Sequence, residues 1–166
     1  MRTATSLGIA LCVIVAFAGA QTPAPVKLAS SWKCAQPNPV HALPAGDSPD
    51  HAYVLQQFKC TATKGEIAGI AEKEGIGTEV MESTGNSGKG HGMFVETMAN
   101  GDKVYVSFEA TGTMANNQFQ SGSNKWTLTG GTGKFAAAKG SGTCKGKGNP
   151  DGSANFDCTG TVTLAK

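Results

Sequence analysis

From residue 51 onward, apolar and polar side chains alternate with a period of two. Val104, Val106, Phe108 and Ala110 interleave with Tyr105, Ser107, Glu109 and Thr111, and Phe156, Cys158, Gly160, Val162 and Leu164 repeat the pattern near the end of the chain. Trp126 and Leu128 share a face in the same way. That period sends successive side chains to opposite faces of a strand, one buried and one wet. Turn-forming residues interrupt the stretch at short intervals: Lys64-Gly65, Glu74-Gly75, Gly85-Asn86-Ser87-Gly88, Asn100-Gly101 and Asn149-Pro150-Asp151-Gly152. The predicted strands are Ala52–Thr63, Glu66–Lys73, Ile76–Ser83, His91–Met98, Lys103–Met114, Gln118–Thr129, Ser141–Lys147 and Ser153–Ala165. Helical spacing is confined to Lys134–Lys139, enough for a turn or two.

An even set of short alternating strands predicts an all-β fold, an eight-stranded antiparallel β-barrel, because closure removes exposed edges. A barrel of that size is either packed with side chains or holds one small ligand. Six of the seven prolines fall between Pro23 and Pro49. Residues 21–50 therefore read as an irregular Pro-rich N-terminal segment, and 51–166 as the barrel domain.

Composition narrows the function classes. At 166 residues the chain fits one domain, and 23 glycines without a three-residue period exclude a collagen-like rod. A formal net charge of +2, with Arg2 the only arginine, argues against a nucleic-acid partner. Residues 1–20 read as a secretory signal peptide: Arg2, an apolar run from Leu7 to Phe17, and Ala18-Gly19-Ala20 as the cleavage signature. The run is shorter than the roughly 20 residues a spanning helix needs, so no membrane span is expected. The mature chain is predicted to begin at Gln21, outside the cytoplasm, secreted or periplasmic.

Removal of the leader takes Cys12 and leaves Cys34, Cys60, Cys144 and Cys158, an even number that predicts disulfides. A hairpin centred on Asp151 sets Cys144 opposite Cys158, within bridging distance. By elimination Cys34 pairs with Cys60. No C-x-x-C spacing supports a zinc site.

The segment Trp126-Thr127-Leu128-Thr129 followed by Gly130-Gly131-Thr132-Gly133-Lys134-Phe135-Ala136-Ala137-Ala138-Lys139-Gly140-Ser141-Gly142-Thr143 resembles the strand–GGTG-x-F-x-x-A-x-G–strand segment of the allene oxide cyclase and dirigent barrel superfamily. The resemblance implies an eight-stranded antiparallel barrel with a central cavity, often in an oligomer. Cyclase members of that superfamily close a fatty-acid epoxide, and dirigent members steer radical coupling of phenols. The arginine expected of phenol-coupling members is missing from the predicted mature chain, so the resemblance carries the scaffold alone. Read physically, the glycines allow a tight reversal and Phe135 is placed to plug a barrel end.

Four residues are candidates for lining a ligand cavity: Glu96, Tyr105, Phe94 and Trp126. Glu96 faces Tyr105 if Asn100-Gly101 forms a two-residue hairpin loop, and a one-residue slip exchanges faces. Glu66, Glu82 and Glu109 share that ambiguity. His41, Asp47, Asp50 and His51 form a second cluster, a weaker alternative as a metal site against a plain surface loop. No cofactor is expected, since the glycine-rich segment lacks the helix and acidic partner of a nucleotide site. No catalytic residue is assignable. The leading expectation is an exported barrel binding a small apolar molecule. A cyclase or isomerase using a cavity carboxylate, and a structural or interaction protein with a filled barrel, are the alternatives.

Overall fold

A computed structural model describes residues 24–116 and 118–164; the expected leader at 1–20 and the start at Gln21 lie outside them. The strands are β1 (Val26–Cys34), β2 (Val40–Pro44), β3 (His51–Lys64), β4 (Glu66–Ile67), β5 (Ile70–Thr84), β6 (Ser87–Met98), β7 (Lys103–Ala115), β8 (Gln118–Gly131), β9 (Lys139–Gly148) and β10 (Ala154–Thr163). Eight of them pair in the cyclic order β3-β1-β10-β9-β8-β7-β6-β5, and β3–β5 pairing closes the ring. All pairs are antiparallel. The chain is an eight-stranded antiparallel β-barrel with two short additional strands.

The expected strand count is right, but two of its members differ. Residues 26–34, expected to be irregular, form β1, which pairs with β10 from Val26↔Val162 to Cys34↔Ala154 and with β3 at Cys34↔Cys60. Beyond Pro39 the chain resumes as β2 on the same edge of β3, Val40 opposite Gln56. Prolines at 37 and 39 interrupt one long stave here without abolishing it, because Ala35 and Asn38 still donate to the Lys59 and Gln57 carbonyls. Conversely, Glu74-Gly75 is no turn. Ile70–Thr84 is one strand, and a bulge between Glu72 and Glu74 absorbs the irregularity. The expected helical stretch is a single 3₁₀ turn, Gly133–Phe135.

Both disulfides form as expected, Cys34–Cys60 and Cys144–Cys158, with Cα atoms 3.9 and 4.0 Å apart in directly opposed register. The first ties β1 to β3, and the second ties β9 to β10. One barrel end is plugged. Phe135, Met98, Val104 and Ala138 are fully buried there, so the aromatic plug read from the sequence is present. The other end, where β3, β6, β8 and β10 begin, opens into a mouth.

Candidate functional site

The lumen takes its shape from a pairing of aromatic residues with glycine. Across neighbouring strands Phe58 stands opposite Gly77, Phe108 opposite Gly92, Trp126 opposite Gly142, and Phe156 opposite Gly146. A Cβ at any of these glycines would collide with the ring, at 2.8 Å for Gly92 and 2.5 Å for Gly142. Each ring therefore lies flat on the missing side chain of its neighbour. Large residues cover the wall, and these four glycines are explained by contact with their rings.

Three connected spaces result. A cavity of about 110 Å³ lies toward the plugged end, one of about 80 Å³ in the middle, and one of about 640 Å³ at the mouth. Phe58 and Phe156 border all three and form the constriction between them. Rings also meet across the lumen: Trp32 on β1 and Phe94 on β6 pack edge to face with centroids 5.2 Å apart, and Phe58 on β3 lies 6.4 Å from Phe108 on β7.

Within the inner cavity the lining is apolar except for a few groups. Glu72 on β5 and Glu96 on β6 are buried, 8% and 4% exposed. Burial pushes the Glu96 carboxyl up to about 9, and the neighbouring charge of Glu72 adds to the shift. Burial likewise raises Glu72 to about 7, opposed by the Ser30 hydroxyl. That hydroxyl also accepts a hydrogen bond from Trp32 Nε1 at 3.3 Å. Further toward the mouth, burial raises Glu79, while a 2.8 Å hydrogen bond from Gln56 Nε2 to its Oε2 and the nearby His91 counteract this.

Four buried side-chain polar atoms among the described residues lack a hydrogen-bond partner: Glu72 Oε2, Glu96 Oε1, Asn124 Oδ1 and Trp126 Nε1. All four belong to residues that border the inner cavity. Buried polar groups are nearly always satisfied, so their concentration in one apolar space is a local property of the cavity.

Of the sequence candidates, Phe94, Glu96 and Trp126 line this cavity. Tyr105 does not. The hairpin after β6 has three loop residues, Ala99 to Gly101, with Met98 N donating to Asp102 O and Gly101 at φ +88°. One extra loop residue shifts the register so that Glu96 faces Val104 and Tyr105 faces Val95 on the outside. Glu66, Glu82 and Glu109 are exposed. Glu72 and Glu79 were missed because β5 carries an inverted pattern. Gly75, Gly77 and Glu79 point inward and are buried, while Ile76 and Val80 are 43% and 44% exposed. The unbroken alternation of Gly75 to Val80 was the available signal.

The metal alternative is not assembled. His51 is held between carboxylates, Nδ1 at 2.7 Å from Asp47 Oδ1 and Nε2 at 2.9 Å from Glu82 Oε1. His41 faces Leu55 across the β2–β3 pair. Among the described residues no group of three His, Cys, Asp or Glu side chains is placed to hold a metal.

No protein-family model matches the chain, and no curated protein matches it. Solved structures do. The barrel is similar to the pterocarpan synthase dirigent protein GePTS1, with 16% identity and a TM-score of 0.52 over 94% of this chain and 99% of that one. It is also similar to the pterocarpan synthase dirigent protein PsPTS1, with 14% identity and a TM-score of 0.51 over 88% of this chain and 99% of the other. The likeness is one of fold: the chain forms a dirigent-like β-barrel.

Proposed function

We propose that this protein is an exported binding scaffold that takes a small, mostly apolar molecule into its barrel. The observation that carries the reading is the set of four unpartnered buried polar atoms on residues that border one aromatic-lined cavity. An apolar body replaces water against the rings, and its polar groups complete hydrogen bonds that the chain leaves open. Binding of toluene and indole, followed as a rise in melting temperature, tests it. The expected result is stabilisation that Val106→Phe, which fills the cavity, removes while the fold is kept. Absence of any shift with either probe overturns the reading.

The cyclase or isomerase alternative draws on Glu96, a buried carboxyl that holds its proton near neutral pH and sits near a second carboxyl, as a general acid requires. Export rests on the two disulfides and the leader-like segment 1–20. A mass beginning at Gln21 and four hydrogens below the reduced form is the expected result for protein recovered outside the cell.

Self-association has its own support. On the outer face Ile76, Val95 and Tyr105 align across β5, β6 and β7, whereas Ser107, Thr127, Ser141 and Thr161 align across β7 to β10. The apolar row is the face for a second copy. Val95→Lys is expected to shift the sedimentation coefficient to that of a monomer; a monomeric unsubstituted protein overturns this part.

A further inference from the structure

Charge is segregated across the barrel wall. Glu72, Glu79 and Glu96 line the inner and middle cavities, and Asp50 lines the mouth. Among the described residues no lysine, arginine or histidine lines any of the three. The chain nevertheless has more basic than acidic residues, 14 against 12. The ionisable groups on the lumen wall are thus acidic, and the lumen becomes negative as they lose their protons.

Buried carboxyls without a counter-charge are costly, and apolar residues of similar size would serve packing better. Glu72 has only the Ser30 hydroxyl beside it, Glu96 has no favourable partner, and each presents an unpartnered oxygen. Around them stand the rings of Trp32, Phe94, Phe108 and Trp126. Aromatic faces attract cations, most strongly where water is excluded. Carboxyl oxygens and aromatic rings gathered around one space are complementary to a positive charge and disfavour a negative one.

We propose that the ligand of the lumen is a small organic cation, a protonated amine on an apolar body, with its ammonium group at Glu72 and Glu96. This rests on the reading of the barrel as a small-molecule site and adds the sign of the ligand. A neutral alcohol can satisfy the open hydrogen bonds, so charge is the property that discriminates. Glu72 and Glu96 are the titratable groups lining the inner space and Glu79 the one lining the middle, all from β5 and β6, with His91 of β6 acting on Glu79; among the described residues the lining from β1, β3, β7, β8, β9 and β10 carries none besides disulfide-bonded cysteines. Burial keeps Glu96 protonated near neutrality and leaves Glu72 about half protonated, so seating an ammonium expels protons to solvent.

The test is calorimetric titration of the disulfide-intact protein with benzylammonium, benzyl alcohol and benzoate at pH 6 and pH 8. Benzylammonium is expected to bind at least about tenfold tighter than benzyl alcohol at pH 8, with a smaller ratio at pH 6 and benzoate weakest. In buffers of different ionisation enthalpy at pH 7, benzylammonium binding releases protons and benzyl alcohol binding releases none. The E72Q/E96Q variant is expected to bring benzylammonium down to the level of the alcohol without changing the alcohol; if that variant does not fold, E96Q and the proton count carry the comparison. Equal affinity for amine and alcohol overturns the cation assignment and leaves the small-molecule reading standing. Amine preference that survives E72Q/E96Q, or occurs without proton release, overturns the placement at these carboxyls. Failure of all three probes to bind removes both readings.

Discussion

Phe58 on β3 and Gly77 on β5 face each other across the strand pair, and the phenylalanine ring occupies the space a side chain at 77 would need. Gly77→Ala therefore forces the ring off the wall at the constriction between inner cavity and mouth. Overpacking of this kind costs about 1–3 kcal/mol. Urea denaturation of G77A, alone and combined with F58L, measures it. The double variant is expected to recover part of the loss, and an unchanged midpoint in G77A means that the ring does not rest there.

The disulfides act on the unfolded chain. Cys144–Cys158 closes a loop of separation 14, which the chain-entropy model values at about 3 kcal/mol. Cys144→Ser is expected to lower the denaturation midpoint accordingly. Cys34→Ser is expected to cost at least as much, since its loop is longer, with separation 26, and it holds the stave that closes the barrel.

Stability should fall as pH rises from acid to alkaline. Glu72 and Glu96 bind their protons more tightly folded, to about 7 and about 9, than in the unfolded chain at 4.5. Their contribution is fully present below pH 4.5. Above it the unfolded chain releases protons that the folded chain retains, and stability is lost up to the folded values. The expected slope is on the order of 1 kcal/mol per pH unit for each group. Denaturation curves from pH 5 to 8 measure it, and Glu96→Gln is expected to flatten the dependence.

His51 should titrate above the ordinary imidazole range. Hydrogen bonds to Asp47 and then to Glu82 raise it, and both ring nitrogens donate only when the ring is protonated. Its contribution is present below the unfolded value and disappears as pH rises through the folded one. A proton-NMR titration of His51 in the unsubstituted protein and in Asp47→Asn is expected to show a lower value in the variant.

The strands that were legible in the sequence are those whose inward residues are apolar. β7 and β10 alternate openly, and the turn at Asn149–Gly152 led directly to the Cys144–Cys158 bridge. Leu28, Ser30, Trp32 and Cys34 alternate just as well in β1, where the prolines on either side masked them. In β5 the inward set is glycine and glutamate and the outward set is isoleucine and valine, so hydrophobicity named the wrong face. The Glu96 register depended on one loop residue, which composition does not distinguish.

Sequence alone determined the all-β class, the alternation of β7 and β10, the Cys144–Cys158 pairing and the aromatic plug, because each depends on neighbours along the chain or on a local turn; Cys34–Cys60 followed by elimination. Tertiary structure decided which residues meet in the lumen. Barrel closure brings β1 onto β3 and sets rings of one strand on glycines of the next. It also buries Glu72 and Glu96 together, from strands whose relative register no single segment encodes. A side chain's environment in a closed sheet is set by its cross-strand partners, and those exist only once the ring is complete.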